Sequence, residues 1–410
     1  MSKLEKQVNP LISFLTKKRL ICILISSVHA LWLLIFTFIW LNQSSVYDDE
    51  KILIQITSVI KRLVFKMDKK PNKNDFLFIN VAYDKEIVPK LDNEGIPIGN
   101  QAVTDRNKLA RFFHILNQKP NTHKFILCDI FFKDPSPSND NLLLAELKQV
   151  KNILIPYHTT ASGQSELPIF PVKKGLSDYK QIKDMFLKFS LMYKDKKGNA
   201  LKTISLLMYE KLHQAEFQNR FFGYAVNNKY SLNSTILDFR IRNYDLIQSK
   251  RYFYINLGNL LKISDDVVLE MVKDRIIVIG DFEDRDMHKT VFGDIAGPLI
   301  LINAYLCLVN EDNIITINFL FSLFLVYLFI SYYIFFGKKT EENQKIEKIF
   351  KSTIIIGFIN KLINHLFFLG AFSVLSYFIF NIHINILFVG SYMTVLESGI
   401  SMLKKSRKQV

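Results

Sequence analysis

Between Asp281 and His288 the chain carries Asp281, Glu283, Asp284, Asp286 and His288 within eight positions. Four carboxylates and an imidazole in one short loop suit two chemistries. They can share a hard cation through oxygen ligands, or hydrogen-bond a polar ligand. The plain alternative is a solvated loop whose acids cap helices. The loop follows Arg275-Ile276-Ile277-Val278-Ile279-Gly280, which reads as a buried strand, and precedes Gly297-Pro298, where a helix opens. Asp84 follows a second apolar run, and Asp129 and Asp134 flank a third. Ligands of open parallel sheets gather at the carboxyl ends of the strands. Asp84, Asp129, Asp281, Asp286 and His288 are therefore candidate ligand-binding residues, and whether a metal joins them is open.

Asp129 interrupts an otherwise apolar strand, Phe125 to Phe132, where an unpaired charge is costly. Arg106 is the natural partner, so the two form either a structural pair or a joint ligand contact. His365 and Glu397 are ionisable residues in apolar runs, 18 and 14 residues from a hairpin tip near His383. On antiparallel helices that places them within about 6 Å in depth, close enough to pair as a functional site or a structural pin. Gly-x-Ser-x-Gly, phosphate-cradling Gly-rich loops, His-x-x-x-His and Cys-x-x-Cys do not occur, and only 15 Gly are present. The expectation is a non-enzymatic protein without a cofactor.

The elements that must hold these residues alternate. Phe76–Ala82, Phe125–Phe132, Asn152–Pro156 and Arg275–Gly280 read as strands. Asp105–Leu116 is an amphipathic helix with Leu109, Phe112, Phe113 and Leu116 on one face, Asn141–Val150 a second, and Leu299–Val309 the last of the soluble part. Asp105, Asp140 and Ser264 stand where N-caps belong. The middle reads as a strand at Leu187–Tyr193, a helix at Leu201–Phe217 and strands at Ile236–Ile241 and Tyr252–Leu257. Such alternation predicts an α/β domain, mostly a parallel sheet with helices on both faces.

Four apolar segments qualify as transmembrane helices, at 21–42, 314–336, 353–381 and 382–403. The first exceeds the apolar core of a cleaved signal peptide and reads as an anchor. The net charge is +15, yet from Gln43 to Asn313 there are 38 Lys/Arg against 33 Asp/Glu, so most of the excess flanks the apolar segments. That distribution excludes a nucleic-acid reading. By the positive-inside rule it places a tail at 1–20, a loop at 337–352 and a tail at 404–410 in the cytoplasm, and 43–313 outside it. Three cysteines make no disulfide scaffold, and Cys128 and Cys307 read as buried thiols. A bacterial inner (cytoplasmic) membrane is the expected location, the bilayer being the first partner.

The order of elements resembles the type-2 CHASE domain, the extracellular sensory module associated with cyclases and histidine kinases. The resemblance covers about Phe76 to Asn310. It rests on Asp105-Arg106 with the Leu109/Phe112/Phe113 face, on Cys128-Asp129-Ile130-Phe131-Phe132, and on Asp140 with Leu143 and Leu147. Arg275–Gly280, Asp286, Gly297 and Asn303-Ala304 complete it. A Trp-Pro-Trp-type segment found before the Arg in that family is missing here. The resemblance implies a membrane-anchored sensor that binds an unknown small ligand. Its signal is expected to pass through the apolar helices to a separate cytoplasmic signalling protein, with homodimerisation left open. The rival readings are a metal-dependent envelope hydrolase using the 281–288 loop and an accessory subunit of a transporter or channel.

Overall fold

Short runs of Phe, Leu, Ile and Val become strands buried on both sides, as the sequence pattern requires of a parallel sheet. The computed structural model describes residues 3–42, 48–67, 69–92, 94–160, 162–178, 185–220, 223–283, 285–336 and 353–406. Asp284 and the loop expected at 337–352 lie outside the described residues. The chain divides into two units. One comprises Ser58–Asn228 and Asn233–Asn313, the other Met1–Thr57, Lys229–Leu232 and Ile314–Val410.

The first unit is built on a parallel sheet. Its order is Phe253–Asn256, Phe76–Asn80, Ile276–Gly280, Phe125–Cys128, Ile153–Thr159, with Lys174–Leu176 also parallel beside the last and Ser165–Glu166 antiparallel to it. Side chains alternate between faces. Leu77, Ile79, Ile126, Cys128, Ile277 and Ile279 join one core with Leu109, Phe112, Phe113 and Leu116 of the helix Arg106–Gln118, Leu143 of Asp140–Leu147 and Leu269 of Asp265–Val272. The intervening Phe76, Phe78, Leu127 and Val278 are buried on the opposite face, where the helix Gly297–Val309 packs on the Ile276–Gly280 strand. The sheet is thus covered on both sides, so its ligand-accessible edge is the row of strand ends. Asp105 caps its helix, accepting from the Lys108 amide at 2.9 Å. Ser264 occupies the N-cap position of Asp265–Val272 without a side-chain cap bond.

Several elements differ from the sequence reading. The Leu187–Tyr193 strand is two strands, Lys188–Ser190 and Met192–Lys194, and the helix expected to Phe217 is Ile204–His213 followed by the strand Phe217–Arg220. The strand expected at Ile236–Ile241 stops at Ile236. Beyond it, Asp238 and Arg240 are drawn into a buried ion cluster: Asp238 meets Arg62 at 2.6 Å, Lys61 at 3.3 Å and Arg240 at 3.4 Å, and Arg240 meets Asp312 at 2.8 Å. The Arg62 guanidinium also lies 4.3 Å from the Phe292 ring centre. Asn303, inside the last helix and fully buried, accepts from the Ile241 amide at 3.1 Å. It donates to the Ile241 and Leu299 carbonyls, both at 2.7 Å.

The second unit contains four helices long and apolar enough to cross a membrane, Arg19–Leu41, Ile317–Phe336, Gly357–Phe380 and Ile386–Lys404. The helix Lys3–Leu41 packs along Ile317–Phe336, joined by Thr37 to Tyr327 at 2.6 Å and His29 to Ser331 at 2.7 Å. The third helix ends at Phe380, where Asn381 takes φ 57°, a left-handed conformation that Asn tolerates better than most residues. The fourth helix starts at Ile386 and not at Ile382, because His383 in the turn is held by Thr57 at 2.9 Å and Ser373 at 3.0 Å.

Candidate functional site

The carboxyl ends of the strands enclose a cavity of about 320 Å³. Val81, Asp129, Ile130 and Asp281 come from the strand ends, Lys85, Thr104 and Arg106 from the hairpin Lys85–Leu91/Pro97–Thr104 and the helix start beside it, and Arg285 and Asp286 from the acidic loop. The hairpin, whose residues show no alternation in sequence, thus supplies one wall.

Asp129 lies just past the end of its strand, which stops at Cys128. Cys128 faces the Arg106–Gln118 helix, so Asp129 points to the other face, where its Cβ stands 3.5 Å from where a side chain on Gly280 would begin. The expected Arg106–Asp129 pair is therefore not formed. Arg106 instead reaches Asp140 at 3.4 Å, donates to the Thr104 and Asp134 carbonyls at 3.1 Å, and stacks 4.6 Å from the Phe132 ring centre. Among the described residues no donor hydrogen-bonds the Asp129 carboxylate. Burial pushes its carboxyl well above the usual range, and the charge of Asp286 adds to the effect.

Asp286 gives one carboxylate oxygen to His288 Nε2 at 2.8 Å. The other lies so close to Gly297 that a Cβ there would meet it at 1.9 Å. Gly297 is the first residue of the helix Gly297–Val309, and a helix N-terminus favours negative charge. His288 does not line the cavity. Asp281 accepts from the Glu283 amide at 3.1 Å and stands 4.0 Å from Lys85 Nζ. Burial lowers the Lys85 ammonium against the pull of Asp281. Asp84 sits apart from the cavity, bonded to Lys108 Nζ at 2.7 Å and the Gly258 amide at 3.0 Å, and serves the fold.

Two sets of contacts show only in the folded chain. Glu283 accepts from Tyr83, Tyr254 and Asn80, and Asn80 also donates to Asn256 at 3.0 Å. Burial and then the Glu283 hydrogen bond push the Tyr254 hydroxyl up. His158 meets Asp178 at 2.8 Å, beside Ser177 at the cavity wall. Burial works to raise the Asp178 carboxyl, but hydrogen bonds from His158 and Thr159 prevail and hold it below the usual range. Among the described residues no group of three His, Cys, Asp or Glu is placed to hold a metal ion. In the second unit, His365 Nε2 and Glu397 stand 3.0 Å apart, with Lys361 Nζ 3.4 Å from the same carboxylate.

A family model, that of the CHASE2 domain, matches residues 28–334, well over half of the chain. The chain belongs to the CHASE2 family. No curated protein and no solved structure matches it significantly. CHASE2 is a family of sensory extracellular domains, so this CHASE2 chain is a membrane protein with a signal-transducing sensory domain. Its matched segment takes in the whole strand-end cavity and parts of the first two apolar helices.

Proposed function

We propose that this CHASE2 protein is a receptor whose strand-end cavity binds a small polar ligand outside the cytoplasm. The observation that carries this reading is the bearing of Asp286 on Gly297. A ligand touching Asp286 at the cavity acts on the first residue of a helix whose chain continues through 310–316 into the Ile317–Phe336 segment. Occupancy shifts that helix, and the apolar helices pass the shift to a separate cytoplasmic partner. The four helices cross a bacterial inner membrane with both termini in the cytoplasm. Two features support the crossing: apolar side chains such as Leu24 and Phe367 are exposed, and the basic clusters fall on one side by the positive-inside rule.

The test is thermal melting of the full chain in lipid nanodiscs against small polar solutes and divalent ions. A ligand at a hundredfold excess over Kd stabilises the folded state by about 2.7 kcal/mol, a rise of roughly 5–10 °C for a unit of this size. The rise is expected to vanish in Asp286→Asn. A flat panel on a well-folded protein rejects the receptor reading.

A further inference from the structure

The strand-end cavity gathers acids and cations that are only partly paired with one another. Of its acids, Asp129 has no ion-pair or hydrogen-bond donor among the described residues, and Asp286 is only half used, by His288. Of its cations, Arg106 is taken by Asp140 and two carbonyls. Lys85 reaches Asp281 only at 4.0 Å, and exposed Arg285 forms no ion pair with a described residue. Asp129 thus lacks a donor, Asp286 has one on a single oxygen, and two cations lack a close anion.

Resting on the receptor reading above, we infer that the ligand is a small zwitterion, in its simplest form a free α-amino acid. Asp129 and Asp286 receive its ammonium, and Lys85 and Arg285 receive its carboxylate. A bare divalent cation fits less well, because it asks for six to eight oxygens, and among the described residues no three of the carboxylates lining the cavity are placed to share one. An ammonium asks for about three acceptors, which the oxygens of two carboxylates supply. A dianion leaves Asp129 and Asp286 facing it unpaired. The cavity, about 320 Å³ with Val81, Ile130 and Leu301 on its walls, also has room for a short apolar side chain.

The raised Asp129 carboxyl agrees with this assignment: without a ligand the site lowers its repulsion by taking up a proton, and the ammonium replaces that proton. Binding then strengthens as pH rises from the acid side toward neutrality.

The experiment is calorimetric and melting titration of the full chain in nanodiscs with the twenty common amino acids, methylamine, succinate, inorganic phosphate and calcium chloride. Each amino acid that binds is then repeated as its N-acetyl and methyl-ester forms. The expected result is binding of at least one free amino acid. Each single-charge analogue, and the near-isosteric Asp129→Asn and Lys85→Gln variants, should weaken it by tenfold or more. Unliganded melting of each variant separates this from a folding defect. An analogue that binds as well as the free amino acid overturns the zwitterion assignment, as does calcium, phosphate, methylamine or succinate binding where no amino acid does. In those cases the cavity remains a receptor site. If nothing in the panel binds, the receptor reading fails with it.

Discussion

Asp129, half-buried at a cavity, and Asp238, buried, are carboxylates of the same α/β unit, and their surroundings drive them in opposite directions. Around Asp238, burial favours the neutral acid, but the charges of Arg62, Lys61 and Arg240 outweigh it and bring the carboxyl down to about 2. Around Asp129, burial acts in the same sense and a second acid adds to it, with no cation in ion-pair reach among the described residues. The first cluster is closed and complete, and fastens residues 61–62, 238–240 and 312 together. The second is left unbalanced where a cavity opens. Buried charge with its partners supplied reads as framework, while half-buried charge with a partner missing, beside open space, reads as a candidate binding site.

The sharpest way to break the comparison is to remove the framework acid. Asp238→Ala leaves three cations facing one another and should lower the unfolding free energy of the full chain by about 3–5 kcal/mol, measured by denaturant titration. The same pair predicts an acid limit. The folded carboxyl lies below its unfolded value of about 4. Its stabilisation is therefore present above that pH and is lost as the pH falls toward 2, which a pH series of melting curves will register.

Gly280→Ala tests how tightly the cavity floor is tied to the last helix. Its Cβ would stand 2.3 Å from Pro298 Cγ, and crowding of that kind costs about 1–3 kcal/mol. Ligand-induced stabilisation should fall as well, since strand and helix must part.

Asp129→Asn has the opposite sign to Asp238→Ala. A folded carboxyl raised above its unfolded value destabilises the fold once ionised. Removing it should therefore stabilise the unliganded protein by about 1 kcal/mol at neutral pH, and the gain should shrink as pH falls toward about 4 and be gone below it. Loss of stability in this variant at pH 7 would place Asp129 in the framework and collapse the contrast.

Much of the fold was legible because apolar periodicity is local. The strands near Phe76, Phe125, Asn152 and Arg275, the face of Leu109, Phe112 and Phe113, and the Asp105 cap all follow from neighbours within a few positions. The hairpin Lys85–Leu91/Pro97–Thr104 escaped because its outer strand is largely exposed and carries Gly, Asn and Gln, which give no alternation. The strand expected to Ile241 failed for a different reason: Asp238 and Arg240 alternate like strand residues while their charges are committed to partners far away in sequence. The site was legible as an edge but not as a set of contacts. The acids gathered at the strand ends, yet Arg106 and Asp129 fall on different faces, a matter decided by one step of strand alternation. The Glu283 cage of Tyr83, Tyr254 and Asn80 draws on three separate segments, so no spacing in the chain announces it.

Asn303 gives the last helix a graduated scale with a single mark. Its side-chain amide copies a peptide group, taking both the amide and the carbonyl of Ile241. A turn earlier or later in the helix stand Leu299 and Cys307, neither of which offers that pair of bonds. The helix is therefore not free to creep along its neighbour in small increments, because both bonds hold or both are lost. On the receptor reading proposed above, graded pressure on Gly297 would be read out twelve residues later, at Val309, as a step.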